Sequence, residues 1–141
     1  MSIKIFYDEV NFRLKGSGKF KKFLEKVILE ENRIPGDLNF IFTNDVFMVE
    51  INTKFLNHDY NTDVIAFDYS AGNKLSGEVY ISIDSVKSNA VIYNVRADEE
   101  VLRVMIHGTL HLCGYRDDNE KQWEEMREIQ ERRLDELRRI I

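Results

Sequence analysis

The sequence predicts a single α+β domain in which a small mixed β-sheet packs against several helices. Three observations support this prediction: strand-like and helix-like segments alternate, apolar residues make up 43% of the 141 residues, and neither a repeat nor a linker divides them. This length is ordinary for one domain, and this apolar fraction suffices for a core. We therefore treat residues 1–141 as one domain with the order β-α-β-α-β-β-α-α-α.

Four segments have the composition or the alternation of strands. In the last of them, Val79, Ile81 and Ile83 alternate with more polar residues, as in a strand with one buried face. The only proline, Pro35, lies in the sequence IPGD, which predicts a short turn. The predicted strands are Ile3–Tyr7, Leu38–Thr43, Asp63–Asp68 and Glu78–Ile83.

Apolar residues at helical spacing predict helices in the remaining segments. Asn44 or Asp45 is suited to cap a helix that continues to about Leu56, and Asp98 to cap a helix that contains two histidines. A short helix is expected at residues 85–93. The first helix is predicted by the stripe Phe20, Phe23, Leu24, Val27 and Ile28.

A long terminal helix is predicted from about Asn119 onward. Its apolar residues recur at helical spacing, and we interpret them as core packing rather than as a partner surface. They are Trp123, Met126, Ile129, Leu134, Leu137 and Ile141.

Composition excludes several classes of protein. The single cysteine, Cys113, excludes a disulfide framework and favours a reducing compartment. We find neither a signal-peptide pattern nor a window near the ~18 apolar residues of a membrane helix. A soluble cytoplasmic protein without a membrane partner is therefore expected.

The net charge of −5 does not by itself predict nucleic-acid binding, although its distribution is uneven. Residues 1–33 carry eight basic and five acidic side chains. Lysines near the first predicted helix form either a solvated helix face or a basic patch for RNA. They are Lys15, Lys19, Lys21, Lys22 and Lys26, of which Lys15, Lys19 and Lys22 are the candidate nucleic-acid contacts.

The stretch RVMIHGTLHLCGYRDD, residues 103–118, contains two histidines at helical spacing. Side chains at positions i and i+4 are neighbours on a helix, with Cβ atoms about 5–6 Å apart. His107 and His111 can therefore point at one metal ion, as paired histidines do in zinc enzymes. The alternative is a pair of ordinary histidines with conventional hydrogen bonds.

Gly114 suggests how a third ligand reaches the histidines. A glycine at a helix end can adopt the left-handed conformation that stops the helix and reverses the chain. Asp117 would then face the same metal, and three protein ligands with one open position are usual for catalytic zinc. Either Asp117 or the adjacent Asp118 could instead cap the terminal helix; spacing favours Asp117 as the ligand and leaves Asp118 or Asn119 as the cap.

Gly108 argues against a peptidase. Zinc proteases with this histidine spacing place a glutamate directly after the first histidine as the general base. A glycine in this position has no group that accepts a proton.

The segment HGTLHLCGY resembles the H-G-x-L-H-L-x-G-Y-D-H signature of the YbeY family of bacterial rRNA-maturation endoribonucleases. Residues 56–57 (LN), 62–67 (TDVIAF), 77–82 (GEVYIS) and 125–126 (EM) are similar to further family segments. The resemblance implies a zincin-like fold, one zinc ion per chain and hydrolytic cleavage of single-stranded RNA. It also implies roles in maturation of the 16S rRNA 3′ end and in ribosome quality control, with rRNA and the ribosome as partners.

Three positions depart from the family pattern. Asp117 stands where the family has its third histidine ligand, and Ala66 replaces a serine. The family's basic loop looks deleted, since residues 56–60 run almost directly into residues 61–63, and its arginine has no counterpart here. His58 and Arg116 are the candidate catalytic residues. His58 could contact the RNA phosphate or relay a proton, with an ordinary surface histidine as the alternative, and Arg116 or Arg103 could supply a cation that stabilises the phosphate.

A metal-dependent endoribonuclease acting in rRNA maturation is the leading hypothesis. The alternatives are a non-catalytic, metal-binding ribosome-assembly factor and, less favoured, a metallopeptidase. The sequence identifies neither the general base nor the oligomeric state.

Overall fold

The computed structural model describes residues 2–56 and 62–140, and the elements within these ranges follow the predicted order. The strands are β1 Ser2–Tyr7, β2 Ile34–Thr43, β3 Val64–Asp68 and β4 Lys74–Ser82. The helices are α1 Ser17–Glu30, α2 Asp45–Leu56, α3 Ile83–Ile92, α4 Ala97–Leu112 and α5 Glu120–Ile140. No helix in the described ranges has the combined length and apolarity needed to cross a membrane.

The strands form a mixed sheet with the order β1-β2-β4-β3. Strands β1, β2 and β4 are parallel, whereas β3 pairs antiparallel with β4. The predicted α+β class with a small mixed sheet is therefore confirmed. This arrangement makes β3 an edge strand. Asp63 lies at the start of this edge strand, directly before Val64.

Helices cover both faces of the sheet. Met48 and Ile51 of α2 pack against Ile65 on one face. The main core lies on the other face, where Val79 of β4 meets α4. Helix α4 contacts β3, β4 and three other helices, so it is central to this layer. The histidine-bearing helix is thus held from several directions.

At Gly108, helix α4 packs tightly against β4. A Cβ atom there would lie 2.6 Å from Cγ1 of Val79, closer than real atoms approach, and 3.3 Å from Cγ2. The position therefore requires glycine for packing. A glutamate after His107 would not fit this backbone, which strengthens the argument against a peptidase.

The structure corrects the predicted boundaries of the paired strands. Strand β2 includes Pro35, which the sequence had placed in a turn, because Ile34 and Pro35 pair with Lys74 and Leu75 of a longer β4. The register shifts between Pro35 and Leu38, and a proline without an N–H donor is tolerated beside such an irregularity. The added length depends on a partner strand 40 residues away.

The helix starts agree in part with the prediction. Asn44 caps α2 by accepting a hydrogen bond from the N–H of Phe47 at 2.9 Å, and Asn119 caps α5 in the same way. The prediction for α4 was wrong, since its N-cap is Arg96 and Asp98 lies within its first turn. Helix α3 starts at Ile83, directly after the capping Ser82.

The predicted apolar stripe of α5 is confirmed in its centre and wrong at its start. Met126, Leu134 and Leu137 are buried, whereas Trp123 is 50% exposed. Trp123 lies in the first turn of α5 and lines a cavity instead of the core. The last stripe residue, Ile141, lies outside the described residues.

Candidate metal centre

Three side chains converge at the end of α4. Nε2 of His107 lies 3.7 Å and Nε2 of His111 lies 3.3 Å from Oδ2 of Asp117. The two imidazole rings are 4.7 Å apart between centroids and nearly perpendicular. One ligand atom from each residue lies within 4.8 Å of the others, an arrangement that can hold one metal ion.

Gly114 ends the helix that carries the histidines and has a φ of 110°. Its N–H donates to the carbonyl of His111 at 3.0 Å, and the N–H of Tyr115 donates to the carbonyl of Leu110 at 3.1 Å. These two bonds form a Schellman motif, which reverses the chain after a helix. The reversal brings Asp117 back toward the histidines, as the sequence predicted.

The segment after Gly114 is anchored on both sides of Asp117. The hydroxyl of Tyr115 donates to Oε2 of Glu31 at 2.8 Å, while Nε of Arg116 donates to Oδ2 of Asp118 at 2.7 Å. The N–H of Asp118 donates to Oε1 of Gln122 at 3.1 Å. Because Asp118 is engaged with its neighbours, Asp117 is the aspartate that faces the histidines.

Gln130 of α5 orients the first histidine. Its side-chain N–H donates to Oε2 of Glu131 at 3.2 Å, which leaves its oxygen, 2.7 Å from Nδ1 of His107, as an acceptor. Nδ1 of His107 must then carry the proton, and Nε2 is left with a free lone pair toward Asp117. Burial, and then the neighbouring His111, lower the pKa of His107, which favours the neutral form that binds metals.

Ion pairs of Arg103 hold Glu131, the residue to which the Gln130 side chain donates. Arg103 donates to both carboxylate oxygens of Glu131 at 2.9 and 3.1 Å, and to Glu100 at 2.6 Å. Its partly buried guanidinium is thus held by two carboxylates. Arg103 therefore supports Gln130 through Glu131 and is poorly placed to bind a phosphate.

A cavity of about 630 Å³ opens beside His107 and Asp117. Asp63, which the sequence reasoning did not select, also lines it and accepts a hydrogen bond from Asn89 at 3.3 Å. Burial raises the pKa of the Asp63 carboxyl, and the charge of His107 opposes this rise. A signal was present in the sequence, since Asp63 belongs to the TDV segment that supports the family resemblance.

A second cavity, of about 500 Å³, borders His111 and contains Arg116 in its lining. Arg116, which the sequence suggested as a phosphate contact, is exposed and paired with Asp118. It lies beside the metal centre, in the same cavity lining as His111. Lys15, Lys19 and Lys22 are exposed, but in the described ranges the residues lining the two cavities come from other segments. His58 lies outside the described residues.

Comparison with known proteins gives an independent result. Residues 7–138 match the family model described as Endoribonuclease YbeY. The chain is 43% identical to the Endoribonuclease YbeY of Flavobacterium psychrophilum, over 92% of each chain. It is 42% identical to that of Christiangramia forsetii, over 92% of this chain and 90% of the relative. The solution structure of TM1509 from Thermotoga maritima is similar, with a TM-score of 0.62 and 31% identity over 97% of this chain and 92% of that chain.

Proposed function

Because the chain belongs to the YbeY family of endoribonucleases, we propose that it is a metal-dependent endoribonuclease that hydrolyses single-stranded RNA. The whole chain, residues 1–141, acts as one domain in this proposal. The observation that carries it is the convergence of His107, His111 and Asp117 at the wall of an open cavity. The family supplies the reaction, and the three side chains supply a place for the metal.

The three residues fit a divalent ion by their chemistry. Two imidazole nitrogens and one carboxylate oxygen suit zinc, and three protein ligands leave a position open. The hydrogen bond from His107 to Gln130 resembles the second layer of contacts that orients metal-bound histidines. We propose one zinc ion per chain, which would supply electrophilic activation of water and of the scissile phosphate.

Asp63 is the proposed proton acceptor. It lines the same cavity as His107 and Asp117. Asn89 holds one of its carboxylate oxygens and so limits its orientation. Asp63 thus supplies the base that Gly108 cannot, from a strand edge rather than from the histidine helix.

Positive side chains near the centre would position the RNA backbone. Arg116 lies at the cavity beside His111, and Arg127 lies at the cavity beside His107. We retain His58 as a candidate phosphate contact, and Lys15, Lys19 and Lys22 as candidate contacts to more distant phosphates.

The biological setting follows from the family alone. We propose that the substrate is rRNA, with cleavage near the 16S rRNA 3′ end, and that the protein acts on the ribosome in the cytoplasm. The alternative function is a non-catalytic ribosome-assembly factor. One observation favours it, namely that the family arginine has no counterpart in this chain.

A cleavage assay separates the candidate functions. The protein is incubated with end-labelled single-stranded RNA, with duplex RNA of the same sequence and with casein. We expect cleavage of the single strand alone, and its loss in His111→Ala. Binding of RNA without cleavage would support the assembly factor, and cleavage of casein would support the peptidase.

A further inference from the structure

Two exposed aromatic rings border the cavity that contains His107 and Asp117. Tyr93, at the end of α3, is 64% exposed, and Trp123, in the first turn of α5, is 50% exposed. Both belong to the lining of that cavity. Large rings that remain in water beside a candidate active site are suited to a flat apolar ligand.

The charge of the cavity selects among possible ligands. Its lining includes four acidic residues, Asp63, Glu100, Asp117 and Glu131. Arg103 pairs with Glu100 and Glu131, and carboxylates such as these can accept hydrogen bonds from the amino groups of a nucleobase. The guanidinium carbon of Arg127 lies 5.3 Å from the centre of the Trp123 ring, which places one cation next to the aromatic surface.

We propose that Tyr93 and Trp123 form a stacking subsite for one unpaired nucleobase of single-stranded RNA, with Arg127 at a flanking phosphate. The proposal rests on the proposed function, since it assigns the cavity to the same substrate. Aromatic side chains bind bases by stacking with little sequence preference. Because a paired base is already stacked and unavailable, this subsite would select single strands over duplexes.

Trp123 is the only tryptophan of the chain, so its fluorescence reports directly on the subsite. The metal-loaded protein is mixed rapidly with a single-stranded RNA oligonucleotide, so that binding is read before cleavage. An oligonucleotide of the same length with abasic residues provides the same phosphates without bases. We expect the RNA to quench Trp123 fluorescence and the abasic chain to leave it unchanged; equal quenching by both would overturn the proposal.

Variants test the two rings separately through the anisotropy of labelled RNA. Trp123→Ala and Tyr93→Ala should each weaken binding by about 10-fold, the size of one base–aromatic stack, while Trp123→Phe should retain most of the affinity. Tyr69→Ala is the matched control, because Tyr69 is similarly exposed and lies outside both described cavities. Affinity unchanged in both alanine variants would also overturn the proposal.

These outcomes are separable from those of the proposed function. Base-dependent quenching in a protein that does not cut RNA would refute the nuclease and leave the subsite standing. Unchanged KM for RNA cleavage in Trp123→Ala and Tyr93→Ala would refute the subsite and leave the nuclease standing.

Discussion

The side-chain oxygen of Gln130 lies 2.7 Å from Nδ1 of His107, and this contact determines which imidazole nitrogen faces the metal centre. Gln130 is itself fixed through Glu131, which Arg103 holds by two hydrogen bonds. A polar residue buried in α5 thus sets the orientation of a residue on α4.

Replacing Gln130 by alanine should weaken zinc binding by about 10- to 100-fold, because contacts of this second layer typically have effects of that size. The imidazole would lose its orientation and its fixed tautomer. Competition with a chromogenic chelator measures the affinity. Glu128→Ala, an exposed position on the same helix, serves as the control; equal affinities in the two variants would show that Gln130 has no part in the site.

Asp117→Asn should lower zinc affinity by at least about 10-fold, because an amide is a weaker ligand than a carboxylate. Asp118→Asn should leave the affinity unchanged, since the Asp118 carboxylate is bound to Arg116. Metal content after dialysis against a weak chelator distinguishes the two. The opposite result would mean that Asp118 is the ligand.

Asp63→Asn should reduce RNA cleavage by about 10²- to 10⁴-fold, the usual range for a general base, with metal content unchanged. Exposed Asp8 provides the matched control variant, Asp8→Asn. Loss of metal in Asp63→Asn, or full activity, would refute the assigned role.

The same substitution should stabilise the metal-free protein at neutral pH. Burial raises the pKa of Asp63 above its ordinary 3.8, so folding favours the protonated carboxyl. This contribution is fully present below pH 3.8 and is lost as the pH rises through the raised pKa. Thermal denaturation should therefore give a higher Tm for Asp63→Asn than for the wild type at pH 7, and the difference should shrink in acid. A lower Tm at pH 7 would contradict this.

Gly108→Ala should destabilise the protein by about 1–3 kcal/mol, the usual range for overpacking a core, because its Cβ would lie 2.6 Å from Val79. Chemical denaturation of Gly108→Ala, Val79→Ala and the double variant tests this contact. The double variant should be more stable than the sum of the single changes predicts. Simple additivity would mean that the destabilisation does not come from contact with Val79.

The local part of the candidate site could be predicted from the sequence. His107, His111, Gly114 and Asp117 lie within eleven residues, and helical spacing with one turn determines their relative positions. The distant contributors could not be predicted in the same way. Asp63 and Gln130 reach His107 only because β3 and α5 pack against α4.

Helix α5 shows why the pattern of apolar residues was insufficient. A stripe of apolar residues assigns buried positions to apolar side chains, yet Gln130 and Arg133 are buried as well. Gln130 contacts His107 of α4, and Arg133 pairs with Glu30 at the end of α1 and with Glu31 directly after it, while Nε of Arg133 is buried without a hydrogen-bond partner in the described ranges. Trp123, by contrast, is an apolar residue of the stripe that is half exposed, because it lines the open cavity beside His107.

The central claim is that one metal ion at His107, His111 and Asp117 is required for cleavage of single-stranded RNA. The most direct test strips the protein of metal, adds zinc in steps and follows cleavage of a labelled single strand at each step. We predict no cleavage without metal, recovery that saturates at about one zinc per chain as expected for a single site, and no recovery in His107→Ala. Undiminished cleavage by the stripped protein, or equal recovery in His107→Ala, would contradict the claim.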